Sequence, residues 1–378
     1  MQKSILVCDI GFGYTKFIEA KIENNKAFVI LQDSFPSVIR RLLSSAFFQI
    51  KDHPDYIEIK KDTKEKCYLV GHSATENEKG IRIRNSEFLL DIFPLLLKRV
   101  LKIRKETSLP SSLVVGTPFQ EWNRLKEQLV KIARECSNIE KVECYPQAAS
   151  AACNLGKKCY NSLVVDIGFN TTDVVPIDAT GRIISDQGVS WEKLGVSMVL
   201  EDLENFIKKD LGLSFTSFQI EKIFITPSYI GRIAPSLKEW KKTILEIKNQ
   251  IVNEYTKLLH AKLIDRFGKN KKLVLAGGGA KFLNKPFKKL GWQIVSLKEP
   301  QFANAKGFLK LGLAQEGFTG EIIWEKESQK QQKMTDIDIK DKIQKKENNL
   351  VTITTDSNSE TKDNMENKRG EANEASNH

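Results

Sequence analysis

Asp9-Ile10-Gly11-Phe12-Gly13-Tyr14 returns, slightly altered, as Asp166-Ile167-Gly168-Phe169-Asn170-Thr171. An apolar run leads into each copy, Ser4-Ile5-Leu6-Val7-Cys8 in one and Ser162-Leu163-Val164-Val165 in the other. Val7/Val164, Asp9/Asp166, Ile10/Ile167, Gly11/Gly168, Phe12/Phe169 and Thr15/Thr172 are identical at a constant offset of 157 residues. So long a period is not that of a solenoid array. It implies two related domains, each ending a buried strand in a carboxylate and a glycine turn. More strand follows each copy: residues 16–22, a turn at Asn24-Asn25 and residues 27–31 in the first; residues 173–177, a turn at 178–181 and residues 182–184 in the second. Both glycine turns therefore lie inside hairpins. Loops that run from strand into helix and hold phosphate at the helix N-terminus are excluded.

Strand and helix signals alternate through the rest, the pattern of an α/β protein. Helices are expected at 86–106 (with Pro94 imposing a kink or break), 120–136, 145–155, 195–210, 236–267 and 304–314. A strand at 112–118 has a candidate counterpart at 222–227, Lys-Ile-Phe-Ile-Thr-Pro, which would extend the duplication. A third buried strand, Lys272-Leu273-Val274-Leu275-Ala276, ends in Gly277-Gly278-Gly279-Ala280. Without side chains there, a flat ring or a sugar can approach the backbone closely, although a triple glycine also suits an ordinary strand-to-helix turn.

A chain of 378 residues accommodates two domains. No stretch nears the roughly 20 apolar residues of a membrane span, and the short apolar run before Asp9 is not a secretory signal. A cytoplasmic protein without membrane attachment is expected. The six cysteines contain no Cys-x-x-Cys pair and only four histidines accompany them, which argues against structural zinc and disulfides. After Trp324 there is no Phe, Tyr or Trp; residues 325–378 are polar, carry a net charge of −2, and are expected to be disordered. The remaining body carries +13, which fits either a lysine-rich solvated surface or attraction to a polyanion such as nucleic acid.

The order strand–DIG, strand–DIG, strand–GGG resembles the actin superfamily, which also contains sugar kinases and the 70-kilodalton heat-shock chaperones. Asp9-x-Gly11-x-x-x-x-Lys16 looks like its first phosphate motif, Asp166-x-Gly168-x-x-Thr171 its second, and Ala276–Ala280 its adenosine motif. Tyr145-Pro146-Gln147-Ala148-Ala149 and Phe302-Ala303-Asn304-Ala305-Lys306-Gly307-Phe308 stand where the family has connecting helices. The latter string, with Phe35-Pro36-Ser37-Val38, Tyr68-Leu69-Val70-Gly71-His72-Ser73-Ala74 and Gly116-Thr117-Pro118, is similar to plasmid-segregation actins of the ParM/StbA group and their archaeal relatives.

The resemblance implies an actin-like ATPase fold: two related domains with ribonuclease-H-like sheets around a nucleotide cleft. Domain I would comprise 1–155 and 301–324, domain II 156–300. Phosphates would be bound by Gly11, Phe12, Gly13, Tyr14 and Lys16 from one side and by Gly168, Phe169, Asn170 and Thr171 from the other, with backbone amides of 11–14 and 168–171 forming two anion nests. Asp9 and Asp166 would hold Mg²⁺ through water, since Mg²⁺ keeps most of its hydration shell. Gln147 matches the residue that positions attacking water in actin. Because glutamine is a poor base, slow hydrolysis follows. Gly277, Gly278, Gly279 and Phe282 would flank adenosine. The implied activity is a slow ATP hydrolase, with GTP an open alternative, coupled to homopolymer filaments that position plasmid DNA through a DNA-bound adaptor. The rivals are a small-molecule kinase of the same superfamily, for which no second-domain Asp with an acceptor pocket is evident, and a non-polymerising ATPase.

Overall fold

The computed structural model describes residues 3–324 apart from 43–50, 62–63, 77–78, 84, 105–107 and 270–271; the tail at 325–378 lies outside the described residues. The first half of the chain builds β1 (Lys3–Ile10), β2 (Tyr14–Glu23), β3 (Lys26–Pro36), β4 (Val38–Arg41), β5 (Tyr56–Lys61), β6 (Lys64–Val70), β7 (Ile81–Arg82), α1 (Ser86–Ile103), β8 (Ser112–Thr117), α2 (Trp122–Ser137), β9 (Val142–Pro146) and α3 (Ala149–Cys153). The second builds β10 (Ser162–Ile167), β11 (Thr171–Ile177), β12 (Val189–Glu192), α4 (Val196–Leu211), α5 (Ser217–Ile225), α6 (Ile230–Ile233), α7 (Lys241–Phe267), β13 (Lys272–Ala276), α8 (Ala280–Lys289), β14 (Ile294–Val295), α9 (Ala303–Gln315) and β15 (Glu321–Trp324).

Two of the sheets share a five-strand order, to which the first adds β15 at its edge. One runs β15-β3-β2-β1-β8-β9 and the other β12-β11-β10-β13-β14. In both, the central strand pairs antiparallel with the next strand of its hairpin and parallel with a later one. Register aligns Asp9 with Lys16 in the first hairpin and Asp166 with Asp173 in the second. A smaller sheet, β5-β6-β4-β7, follows from β3.

Alternation along the central strands explains why both faces are covered. Leu6, Cys8 and Ile10 point into a core shared with Leu89, Phe93 and Leu97 of α1. Ile5 and Val7 point the other way, onto Phe308 and Leu309 of α9. Likewise Leu163, Val165 and Ile167 of β10 join Leu203 of α4 and Leu259 of α7, while Val164 faces Ala149 and Ala152 of α3.

The helices α3 and α9 cross in close contact. A Cβ on Gly307 would sit 1.8 Å from the Ser150 carbonyl oxygen, so only glycine permits the crossing. Ser150 and Gly307 are themselves 157 residues apart, the offset of the two hairpins. The duplication thus extends from the strands to the connecting helices.

Four sequence expectations are corrected. Residues 222–227 do not form a strand: α5 runs to Ile225, started by a capping box in which the Thr216 hydroxyl accepts from the Gln219 amide and the Gln219 side chain returns the bond. The counterpart of β8 is β13, which occupies the same place in the second sheet. Residues 182–184 supply only the bridge from Ile183 to Ile177, and Val189–Glu192 takes the third position beside β11. The helix expected at 145–155 is shorter, because Tyr145 and Pro146 extend β9 alongside β8. Pro94 is accommodated inside an unbroken α1, whose first turn is capped by the Asn85 side chain accepting from Phe88 N–H.

Candidate functional site

The two glycine turns share one geometry. Gly11 N–H donates to the Tyr14 carbonyl at 3.1 Å, and Gly168 N–H to the Thr171 carbonyl at 2.9 Å. Those two amides therefore close the turns and are spent on them, so of the nests expected at 11–14 and 168–171 the Gly11 and Gly168 amides are not free for an anion. The turns also abut: a Cβ on Gly13 would lie 2.8 Å from Phe169 Cβ. Phe12 packs into the first core, whereas Phe169 touches the cores on both sides of the contact. The N-terminus of α4 holds the second turn from behind, with Val196 N–H on the Gly168 carbonyl and Ser197 N–H on that of Phe169.

Both aspartates sit at strand ends, buried, and each is anchored by an amide side chain. Lys16 Nζ lies 3.1 Å from Asp9 Oδ2, and Gln147 Nε2 donates to Asp9 Oδ1 at 2.6 Å. At the second hairpin Asn304 Nδ2 donates to Asp166 Oδ2, also at 2.6 Å. Both amide contacts span 138 residues, so Gln147 and Asn304 are equivalent positions of the duplication. Asn304 was not among the sequence-predicted residues; applying the 157-residue offset to Gln147 would have found it. Its Oδ1 also accepts from Ala148 N–H at 2.9 Å, which ties the segment carrying Gln147 to Asp166. Ala148 holds φ at +57°, a strained conformation for alanine of the kind that collects at functional sites.

The electrostatics are those of crowded carboxylates. Burial raises Asp166 to about 6, opposed by the Asn304 hydrogen bond and reinforced by the charge of Asp9. Asp173, another residue the sequence reading missed, is raised to about 8 by burial and by Asp166. Its Oδ1 is buried without a hydrogen-bond partner. Where the first hairpin places Lys16 opposite Asp9, the second places this carboxyl opposite Asp166. Among the described residues no three acidic, histidine or cysteine side chains converge to ligate an ion on their own. The buried carboxylate oxygens of the second hairpin suit a hard cation that brings most of its own ligands.

The glycine triplet closes against the second aspartate. Gly277 has φ +79°, and a Cβ there would sit 2.4 Å from Asp166 Oδ1; Gly278 faces open space. Phe282 packs edge-on against Phe224 at 5.2 Å between centroids. Thr172 donates its hydroxyl to the Leu194 carbonyl, which turns it into the second core and away from the turn. A cavity of about 960 Å³ borders the turns through Phe12, Phe169, Asn170 and Thr171, but neither aspartate lines it.

A pH signature follows from Asp173. Its carboxyl binds a proton in the folded chain up to about pH 8 but only to about 4 when unfolded, so its contribution to stability falls as pH rises through that window. Asp173→Asn removes the effect. At pH 8.5 the ligand-free variant should be more stable than the wild type by about 1 kcal/mol or more, roughly 2 °C in Tm, and the gap should narrow toward pH 4 in thermal melts.

Two sheets that share a five-strand order, joined by crossing helices and presenting paired strand-end carboxylates, define an α/β protein with an internal duplication. The family profile for the N-terminal domain of actin-like proteins matches residues 8–149, and that for the C-terminal part of the archaeal MreB-like actin homologue matches 164–289. Among solved structures, a 15-stranded ParM filament from Clostridium botulinum aligns at 18% identity over 83% of this chain and 100% of its own, with TM-score 0.62. An archaeal actin homologue in complex with ADP aligns at 18% identity over 82% and 99%, TM-score 0.60. The MamK double helical filament aligns at 18% identity over 82% and 98%, TM-score 0.52. No curated protein sequence matches. The chain belongs to the actin superfamily and has the actin-like fold. Among the described residues no helix is long and apolar enough to cross a membrane.

Proposed function

We propose that this protein is a Mg²⁺-dependent ATPase that assembles into filaments with ATP bound and disassembles after hydrolysis, positioning plasmid or other DNA in the cytoplasm through a DNA-bound adaptor. The observation that carries this reading is the convergence of two equivalent turns and two amide-anchored aspartates at one place. In this reading residues 1–155 and 301–324 act as one domain and 156–300 as the other, closing on the nucleotide. Relatives named as filaments and as an ADP complex support the assembly and the ligand.

The chemistry assigns a role to each group. Backbone amides of Phe12, Gly13 and Tyr14 and of Phe169, Asn170 and Thr171 face the phosphates from opposite sides, and Lys16 supplies positive charge between them. Mg²⁺ would neutralise phosphate charge while Asp9 and Asp166 held its waters. The glycine triplet leaves room for adenosine beside Asp166, with Phe282 behind it. Gln147, now docked on Asp9, orients the attacking water once that hydrogen bond is shared with it. Hydrolysis is slow because no strong base faces the water, which suits a timer for filament lifetime.

Sedimentation with ATP, GTP, ADP and no nucleotide, each with and without Mg²⁺, tests the assembly. Pelleting only with triphosphate and Mg²⁺ is expected; monomers under every condition would remove the filament claim. Gln147→Ala should slow phosphate release by about 10- to 100-fold with nucleotide affinity within about threefold, and so lengthen filament lifetime. Equilibrium binding and phosphate-release assays on the same preparation check both halves.

A further inference from the structure

Arg82, at the end of β7, belongs to none of the motifs above, yet it reaches both turns. Its guanidinium carbon lies over two rings, 4.5 Å from the centroid of Phe169 in the second turn and 4.4 Å from that of Phe218 in α5. One terminal nitrogen forms an ion pair with Glu221 of α5, and the other lies 3.5 Å from the Gly13 carbonyl in the first turn. The second oxygen of Glu221 accepts from the Tyr14 hydroxyl at 2.8 Å. Next in the chain, the Ile83 carbonyl accepts from Asn170 Nδ2 at 3.3 Å. Phe218 packs in turn on Val38, Leu69 and Ala74 beside the small sheet.

This is a clasp made wholly of protein groups. Glu221 neutralises its charge and two rings lie within 4.5 Å of the guanidinium carbon, so the clasp is held together without a phosphate. Arg82 and Glu221 are 11% and 13% exposed, a setting in which stacking and charge-assisted hydrogen bonds gain strength. Lysine cannot replace it, because a point charge lacks both the planar face and the fork.

We propose that Arg82 is a positioning residue that locks the two hairpin turns face to face, through Phe169 on one side and Gly13 and the Glu221–Tyr14 pair on the other, and so sets how long a triphosphate stays between them. The inference deepens the nucleotide reading above and rests on it for the ligand. The clasp itself needs no ligand. Losing it frees the lobes to part, which speeds ligand escape more than it alters chemistry on ligand already held.

Two measurements on the full chain separate the claims. Amide hydrogen exchange on ligand-free protein should quicken by about tenfold or more in both 11–15 and 168–172 in Arg82→Ala, and less in Arg82→Lys. Stopped-flow dissociation of a fluorescent ATP analogue with Mg²⁺ should quicken by about tenfold, while single-turnover hydrolysis stays within about threefold. If Arg82→Ala does not fold, Glu221→Gln, which keeps the shape and removes the ion pair, should show the same pattern at smaller amplitude. Unchanged exchange in either turn, or a dissociation rate within about twofold of wild type, overturns the proposal. A wild type that binds no nucleotide overturns the site reading instead, and the exchange result then still decides whether Arg82 couples the turns.

Discussion

Asp166→Ala is expected to lower ATP hydrolysis by about 100-fold or more, a loss of about 3 kcal/mol of transition-state stabilisation, while the fold is retained. The reason for the functional loss is the removal of half the carboxylate pair that would hold the metal's waters. Little stability should be lost, because two effects oppose. Deleting a carboxyl whose burial already raises it to about 6 relieves a desolvation cost. Leaving Asn304 Nδ2 without its 2.6 Å acceptor costs about 1–3 kcal/mol. Circular dichroism melts and phosphate-release assays on the same variant check the two expectations, and wild-type turnover would refute the site.

Gly307→Val is expected to destabilise the fold by about 3 kcal/mol or more, roughly 5 °C in Tm. The new Cβ would be 1.8 Å from one backbone atom and 2.4 Å from another, both in α3, so neither partner can yield by turning a side chain. The crossing also sets the Asn304–Ala148 and Asn304–Asp166 bonds, so hydrolysis should suffer with stability. Gly278→Ala is the matched control: no atom lies within 4 Å of its Cβ, so differential scanning fluorimetry should find its ligand-free melting temperature unchanged within about 1 °C.

Most of the fold could be read where local pattern and function coincide. The Asp9 and Asp166 hairpins announced themselves because a turn that must expose amides needs glycine and a strand that must be buried needs an apolar run. The failures came where apolar residues are compatible with either state. Ile223, Phe224 and Ile225 look like strand, and the capping box at Thr216–Gln219 that makes them helix lies outside the run. Asn304 was quoted within a motif but not given a role, although the 157-residue offset places it opposite Gln147. Arg82, Glu221 and Phe218 could not be read at all. Their contact joins positions up to 139 residues apart, and nothing in a local window marks an arginine that stacks on two distant rings.

The account stands on two equivalent turns closing on one metal-bound triphosphate. A crystal structure with a non-hydrolysable ATP analogue and Mn²⁺, read at the manganese anomalous peak, tests this most directly. The expected result is a single peak between the Asp9 and Asp166 carboxylates, within water-bridged reach of both, with the phosphates against residues 12–14 and 169–171. A peak remote from either aspartate, or a nucleotide bound outside the turns, would contradict it.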